Sequence, residues 1–149
     1  VRNAVLVGPR QRGGYEGELD IVAANPATGH LVHIECSLDA LSDEKRQLRF
    51  ASKFACGQRF VPEVLAHFAG SGTLDQIVIL QFASGRIRDY GGGRLVTVAE
   101  FLAEVRIGLA HTSPARSAVP ATLPLLRTLQ LAYVGTAGVA AERRLIPLG

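Results

Sequence analysis

Two alternating runs joined by a five-residue turn dominate the sequence, and three acids are placed inside them. From Tyr15 to Ala24, Leu19, Ile21 and Ala23 fall on one face of an extended chain, and Glu18, Asp20 and Val22 on the other. Residues Asn25 to Gly29, NPATG, are turn chemistry: Pro26 pre-sets φ and Gly29 accepts a left-handed conformation. From His30 to Ser37 the alternation resumes, with Val32, Ile34 and Cys36 opposed to His33, Glu35 and Ser37. This pattern predicts an antiparallel β-hairpin. Asp and Glu are depleted in strands, so Glu18, Asp20 and Glu35 on one hairpin face need a reason. Carboxylates that close repel unless a cation lies between them.

The remainder of the chain predicts a mixed α/β fold. VRNAVLV is a short apolar run and GPRQRGG a loop. Ser42 suits a helix N-cap, with Asp43 and Glu44 in the first turn, and DEKRQLRFASKFA reads as a helix ending near Gly57, a left-handed stop. Leu48, Phe50, Ala51, Phe54 and Ala55 share its apolar face, and Lys45, Arg46, Arg49 and Lys53 crowd the opposite one. PEVLAHFA suggests a second short helix with Pro62 at its first position. QIVILQFA is a strand apolar on both faces, hence central; LVTV is another strand, and AEFLAEVRIGLA an amphipathic helix. The order β-β-α-(α)-β-β-α argues for a mixed sheet flanked by helices. A first domain is expected over 1–112, with a proline-broken linker and a C-terminal helix over 113–149 packing on it.

Composition sets limits on class. The 149 residues suffice for one domain with a core, and 48% hydrophobic against 19% charged residues excludes a disordered chain. No apolar run reaches the length of a membrane span, and no secretory signal opens the sequence. Cys36 and Cys56 lack C-x-x-C spacing, so free thiols in a reducing cytoplasm are expected. The chain has no methionine, which suggests a trimmed domain or fragment. A net charge of +3 permits an anionic partner without demanding one.

An Asp ending one strand, about a dozen residues, and then E-x-K on the next is the signature that GELDIVA and LVHIECS resemble. It is that of the PD-(D/E)XK nuclease superfamily, the restriction-endonuclease-like class. The likeness covers about residues 15–60, and more loosely the strand at 77–83. It implies a mixed sheet with helices on both sides and Mg²⁺- or Mn²⁺-dependent hydrolysis of DNA phosphodiester bonds. By resemblance, Asp20, Glu35 and the backbone carbonyl of Cys36 would hold the metal, and Glu18 would be an accessory acid. Ser37 stands where the superfamily has its lysine, and serine carries no positive charge. Lys45, or less readily Lys53, from the following helix would supply that ammonium. The alternative is a catalytically degenerate nuclease-fold module that binds nucleic acid or a protein partner.

Other residues invite weaker readings. Arg10 and Arg12 in the loop, with Arg46, Arg49 and Lys53 on the helix, are candidate phosphate contacts on DNA, or on RNA, although a solvated surface explains them as well. His33 shares the carboxylate face and is expected to be a passive neighbour. GRIRDYGGGR contains no phosphate-binding loop motif; a hairpin turn accounts for it as well as a substrate loop does. A homodimer would suit two-strand cleavage.

Overall fold

The computed structural model describes residues 1–38, 40–68, 72–83, 86–110 and 118–132. The chain is a mixed α/β protein. Its elements are β1 (Arg2–Pro9), β2 (Tyr15–Ala24), β3 (Leu31–Ser37), α1 (Asp43–Val64), β4 (Leu74–Leu80), β5 (Asp89–Tyr90), β6 (Gly93–Thr97) and α2 (Val98–Ala110). Two compact units are distinguished, Val1–Val98 and Ala99–Gly149.

In the first unit a six-stranded sheet runs in the order β1-β2-β3-β4-β6-β5. β2 and β3 form the expected antiparallel hairpin, with Val22 opposite His33 and Ala24 opposite Leu31. In its turn Gly29 adopts φ 70°, and its N–H donates to the Asn25 carbonyl at 2.8 Å. β3, β4 and β6 run parallel, so α1 is the crossover that carries the chain from β3 to β4.

Three expectations need correction. VRNAVLV belongs to an edge strand, β1, pairing antiparallel with β2 from Arg2↔Val22 to Pro9↔Tyr15. Gly57 does not end the helix: α1 is one element of 22 residues containing Pro62. Gly57 serves a packing need instead, since a Cβ there would sit 2.1 Å from the His33 ring. Strict alternation also fails in β2. Leu19 and Val22, three residues apart, enter the same core cluster, so the strand turns over between them. Ala4, between the Asn3↔Ile21 and Val5↔Leu19 pairs, takes φ 49° at this irregularity.

The length of α1 moves its buried face. The buried residues are Phe50, Phe54, Gly57, Phe60 and Val61, whereas Ala51 and Ala55 are exposed and Leu48 is 70% exposed. Continuation through Phe60 and Val61 rotates the apolar stripe away from the one that residues 43–55 alone suggest. Two apolar clusters result. One joins Val7, Leu19, Val22, Leu31, Phe60 and Val61; the other joins Phe50, Phe54, Val78, Leu80, Tyr90 and Leu95.

The GRIRDYGGGR region supplies the β5–β6 hairpin. Gly91 (φ 61°) and Gly92 (φ 87°) form its two-residue turn, which needs positive φ at both positions. Gln47 of α1 holds it, its Oε1 accepting the Gly91 N–H at 2.6 Å and its Nε2 donating to the Asp89 carbonyl at 3.2 Å.

In the second unit α2 is followed by a helical stretch over 124–132, where the Val119 N–H donates to Gln130 Oε1 at 2.9 Å. The expected linker over 113–117 and the end of the expected last helix lie outside the described residues. No described helix is long and apolar enough to cross a membrane.

Candidate active site

Between the two apolar clusters, the contact of α1 with β2 and β3 is polar. Glu35, near the end of β3, is fully buried, and Asp20 on β2 is half-buried. Their oxygens are individually engaged. Asp20 Oδ2 accepts the Cys36 N–H at 2.9 Å, and Glu35 Oε1 accepts the Asp20 N–H at 3.3 Å. His33, also fully buried, lies 2.8 Å through Nε2 from Glu35 Oε1.

The other oxygen of each acid turns toward one ammonium. Lys53 Nζ donates to Asp20 Oδ1 at 3.0 Å and to Glu35 Oε2. Lys53 arrives there because it lies about 60° around the helix from Phe50 and about 40° from Gly57, inside the buried stripe. Its side chain is 25% exposed, against 0% for Glu35. Ser37 carries no ammonium, and the one beside the two acids comes from a lysine sixteen residues further along the chain.

Electrostatics follow the geometry. Burial pushes the Asp20 carboxyl up, but the Cys36 N–H and Lys53 outweigh it and hold the group below its ordinary value. Burial pushes Lys53 down, and its bonds to Glu35 and Asp20 more than reverse this, leaving it raised. Burial and the charges of Asp20 and Glu35 raise the Cys36 thiol.

Comparison with family models, curated proteins and solved structures finds no match.

The remaining candidate residues disperse. Lys45 is exposed and about 12 Å along the helix axis from Lys53, so it does not reach the acids. Glu18 is exposed beside the buried Leu19 and makes none of the bonds of the cluster. Cys36 contributes through its backbone N–H, while its side chain is exposed. Arg10 and Arg12 are exposed in the β1–β2 turn. Arg46 pairs with Asp43 at 3.7 Å, and Arg49 is exposed on the helix. Ser37 and Arg46 line a cleft of about 360 Å³ with Asp43, Gln81 and Phe82, where β3 and β4 end. His30 forms a separate surface pair with Asp75 at 2.9 Å.

The donor set suits a hard divalent cation: Asp20 Oδ1 and Glu35 Oε2 converge on one point, and such ions take one or two carboxylates and keep several waters. Lys53 now answers those same two oxygens. Among the described residues no group of three or more His, Cys, Asp or Glu side chains is arranged to hold a metal. Asp20 and Glu35 are the residues that would hold such an ion, with water supplying its other ligands.

Proposed function

We propose that the chain is a metal-dependent phosphodiester hydrolase acting on DNA, with Asp20 and Glu35 as ligands of Mg²⁺ or Mn²⁺ and Lys53 as its displaced lysine. One observation carries this reading: an acid from β2, an acid from β3 and an ammonium from α1 meet at one point. Two acids on this hairpin with a lysine beside them are the chemistry that an Asp followed by E-x-K supplies in the superfamily the sequence resembles.

A divalent cation bound there would lower the pKa of a bound water and stabilise charge on a phosphate. The protein's own contributions are separate. Asp20 remains a carboxylate at neutral pH because the Cys36 N–H and Lys53 stabilise its charged form. Lys53 remains an ammonium, so its role is to orient the attacking water and offset charge developing on the phosphate. Arg46 and Arg49 lie on the same helix as Lys53, and in this reading they are the candidate contacts to backbone phosphates.

A second reading is favoured by the same contacts. With both free oxygens engaged by Lys53, the cluster is also a complete ion-paired triad, which a non-catalytic nucleic-acid or protein-binding module would retain for its fold. Cleavage of plasmid and oligonucleotide DNA with Mg²⁺ or Mn²⁺ separates the two. The hydrolase predicts metal-dependent cutting that falls by about 10²-fold or more in Lys53→Met and in Asp20→Asn. No cutting and no metal binding by the unmodified chain leaves the module.

A further inference from the structure

Glu35 is held from behind as well as in front. A fully buried carboxylate is costly unless all its lone pairs are answered, and replacing such a group by apolar side chains is often neutral or stabilising. The fold instead surrounds it with a second buried polar residue, His33, and builds a socket for that ring from two further elements. On α1 the socket requires Gly57, where a Cβ would stand 2.1 Å from His33 Nδ1. Glycine inside a helix costs about 1 kcal/mol relative to alanine, so the helix gives up stability to seat the imidazole. The Phe54 and His33 rings pack perpendicular to one another, with centroids 5.4 Å apart at 87°.

The third wall, Gln76 of β4, fixes which nitrogen carries the proton. Gln76 Nε2 donates to the Phe54 carbonyl at 2.8 Å, and Gln76 Oε1 accepts from Gln58 Nε2 at 3.2 Å. The amide orientation is set by these two bonds. The nitrogen of that amide, with its second hydrogen, faces His33 Nδ1 at 3.4 Å. Nδ1 therefore accepts, and Nε2 is left to donate to Glu35 Oε1. The sequence Gln58, Gln76, His33, Glu35 is a chain of bonds with one consistent direction, ending at the acid.

Resting on the proposed metal site, the geometry points to His33 as a positioning residue: it fixes the Glu35 carboxylate so that Oε2, and only Oε2, is presented toward Asp20 Oδ1 and Lys53. With Oε1 taken by the His33 Nε2–H and the Asp20 N–H, Glu35 serves the site through a single oxygen. Gln76 in turn sets the ring's tautomer. Removing such an outer partner of a ligand lowers metal affinity by about 10–100-fold.

The test is Mn²⁺ titration calorimetry on the full chain, with circular dichroism on every variant. His33→Leu is expected to lose about 10–100-fold in affinity while remaining folded. His33→Gln, whose amide nitrogen reaches the place of Nε2, is expected to recover most of the loss. If His33→Leu folds poorly, Gln76→Leu provides the second variant, with a smaller loss expected. Mn²⁺ affinity unchanged in a folded His33→Leu overturns the positioning role and leaves the metal site standing. If the unmodified chain binds no Mn²⁺, the hydrolase reading falls, and nuclear magnetic resonance decides the fate of His33. A slowly exchanging imidazole Nε2–H resonance that shifts in Glu35→Gln supports its hold on Glu35; a ring proton in rapid exchange with water overturns it.

Discussion

α1 makes two ion pairs with β2, and they differ in almost everything but charge. Lys53 meets Asp20 at 3.0 Å, and Arg59 meets Glu16 at 2.6 Å. The Arg59 pair is the shorter, yet its side chains are 65% and 38% exposed. Arg59 also lies over the Phe60 ring, 4.6 Å from its centroid, so packing as well as charge holds it in place. Lys53 is mostly covered and shares its ammonium with the fully buried Glu35. Distance therefore ranks the two pairs in the wrong order. Desolvation decides: an exposed pair contributes about 0–1 kcal/mol, whereas removing one partner of a buried pair leaves a charge with nowhere to go.

Lys53→Met, which keeps the stem and removes the charge, is expected to lose about 3 kcal/mol of stability in urea unfolding, because Glu35 then has no cation. A loss no greater than that of Arg59→Met would mean that burial is not what separates the pairs. Gly57→Ala comes next. Alanine is the better helix former, yet its Cβ would collide with His33, so a loss of about 1–3 kcal/mol is expected where helix propensity alone predicts a gain.

The Asp20–Lys53 pair also makes stability depend on pH. Asp20 has a lowered pKa in the folded state, so its contribution is present above the ordinary carboxylate range, about pH 4, and is lost as pH falls through the lower folded value. Lys53 has a raised one, so its contribution is full below about pH 10.4 and is lost as pH rises through the higher folded value. Thermal midpoints across pH should show a plateau between two declines. In Lys53→Met the alkaline decline should shrink most, since Asp20 retains the Cys36 N–H. The smallest effect belongs to the surface pair: Arg59→Met or Glu16→Gln should shift stability by less than about 1 kcal/mol, and moderate salt should erase the ionic part of it.

Much of this was legible in the residues. The hairpin, its NPATG turn and the adjacency of Asp20 and Glu35 follow from two extended runs flanking five turn residues, even though the alternation expected in β2 breaks between Leu19 and Val22. The central position of β4 followed from its apolar character on both faces. Lys53 was the hardest part to place. Grouped with Lys45, Arg46 and Arg49, it looks like part of a solvated stripe, because a helix cut at Gly57 has its apolar centre on Leu48, Ala51 and Ala55. Phe50, Lys53, Gly57 and Phe60 recur at spacings of three and four, and that stripe was readable once Gly57 is allowed inside the helix. His33 escaped for a different reason: its partners Gly57 and Gln76 are far away in sequence, and no local pattern announces a socket.

The change of direction at β3 has a consequence for how the protein acquires its structure. β1, β2 and β3 are joined by short turns and can pair locally, whereas β4 reaches β3 only through the α1 crossover. The hairpin paired on its own would set Asp20 beside Glu35 with no ammonium between them, and their repulsion would oppose it. Because α1 carries Lys53 and also connects β3 to β4, a folding experiment that follows β3–β4 pairing is expected to see the Lys53 contacts form with it. A chain in which α1 has not docked would therefore hold both acids and lack the ammonium between them.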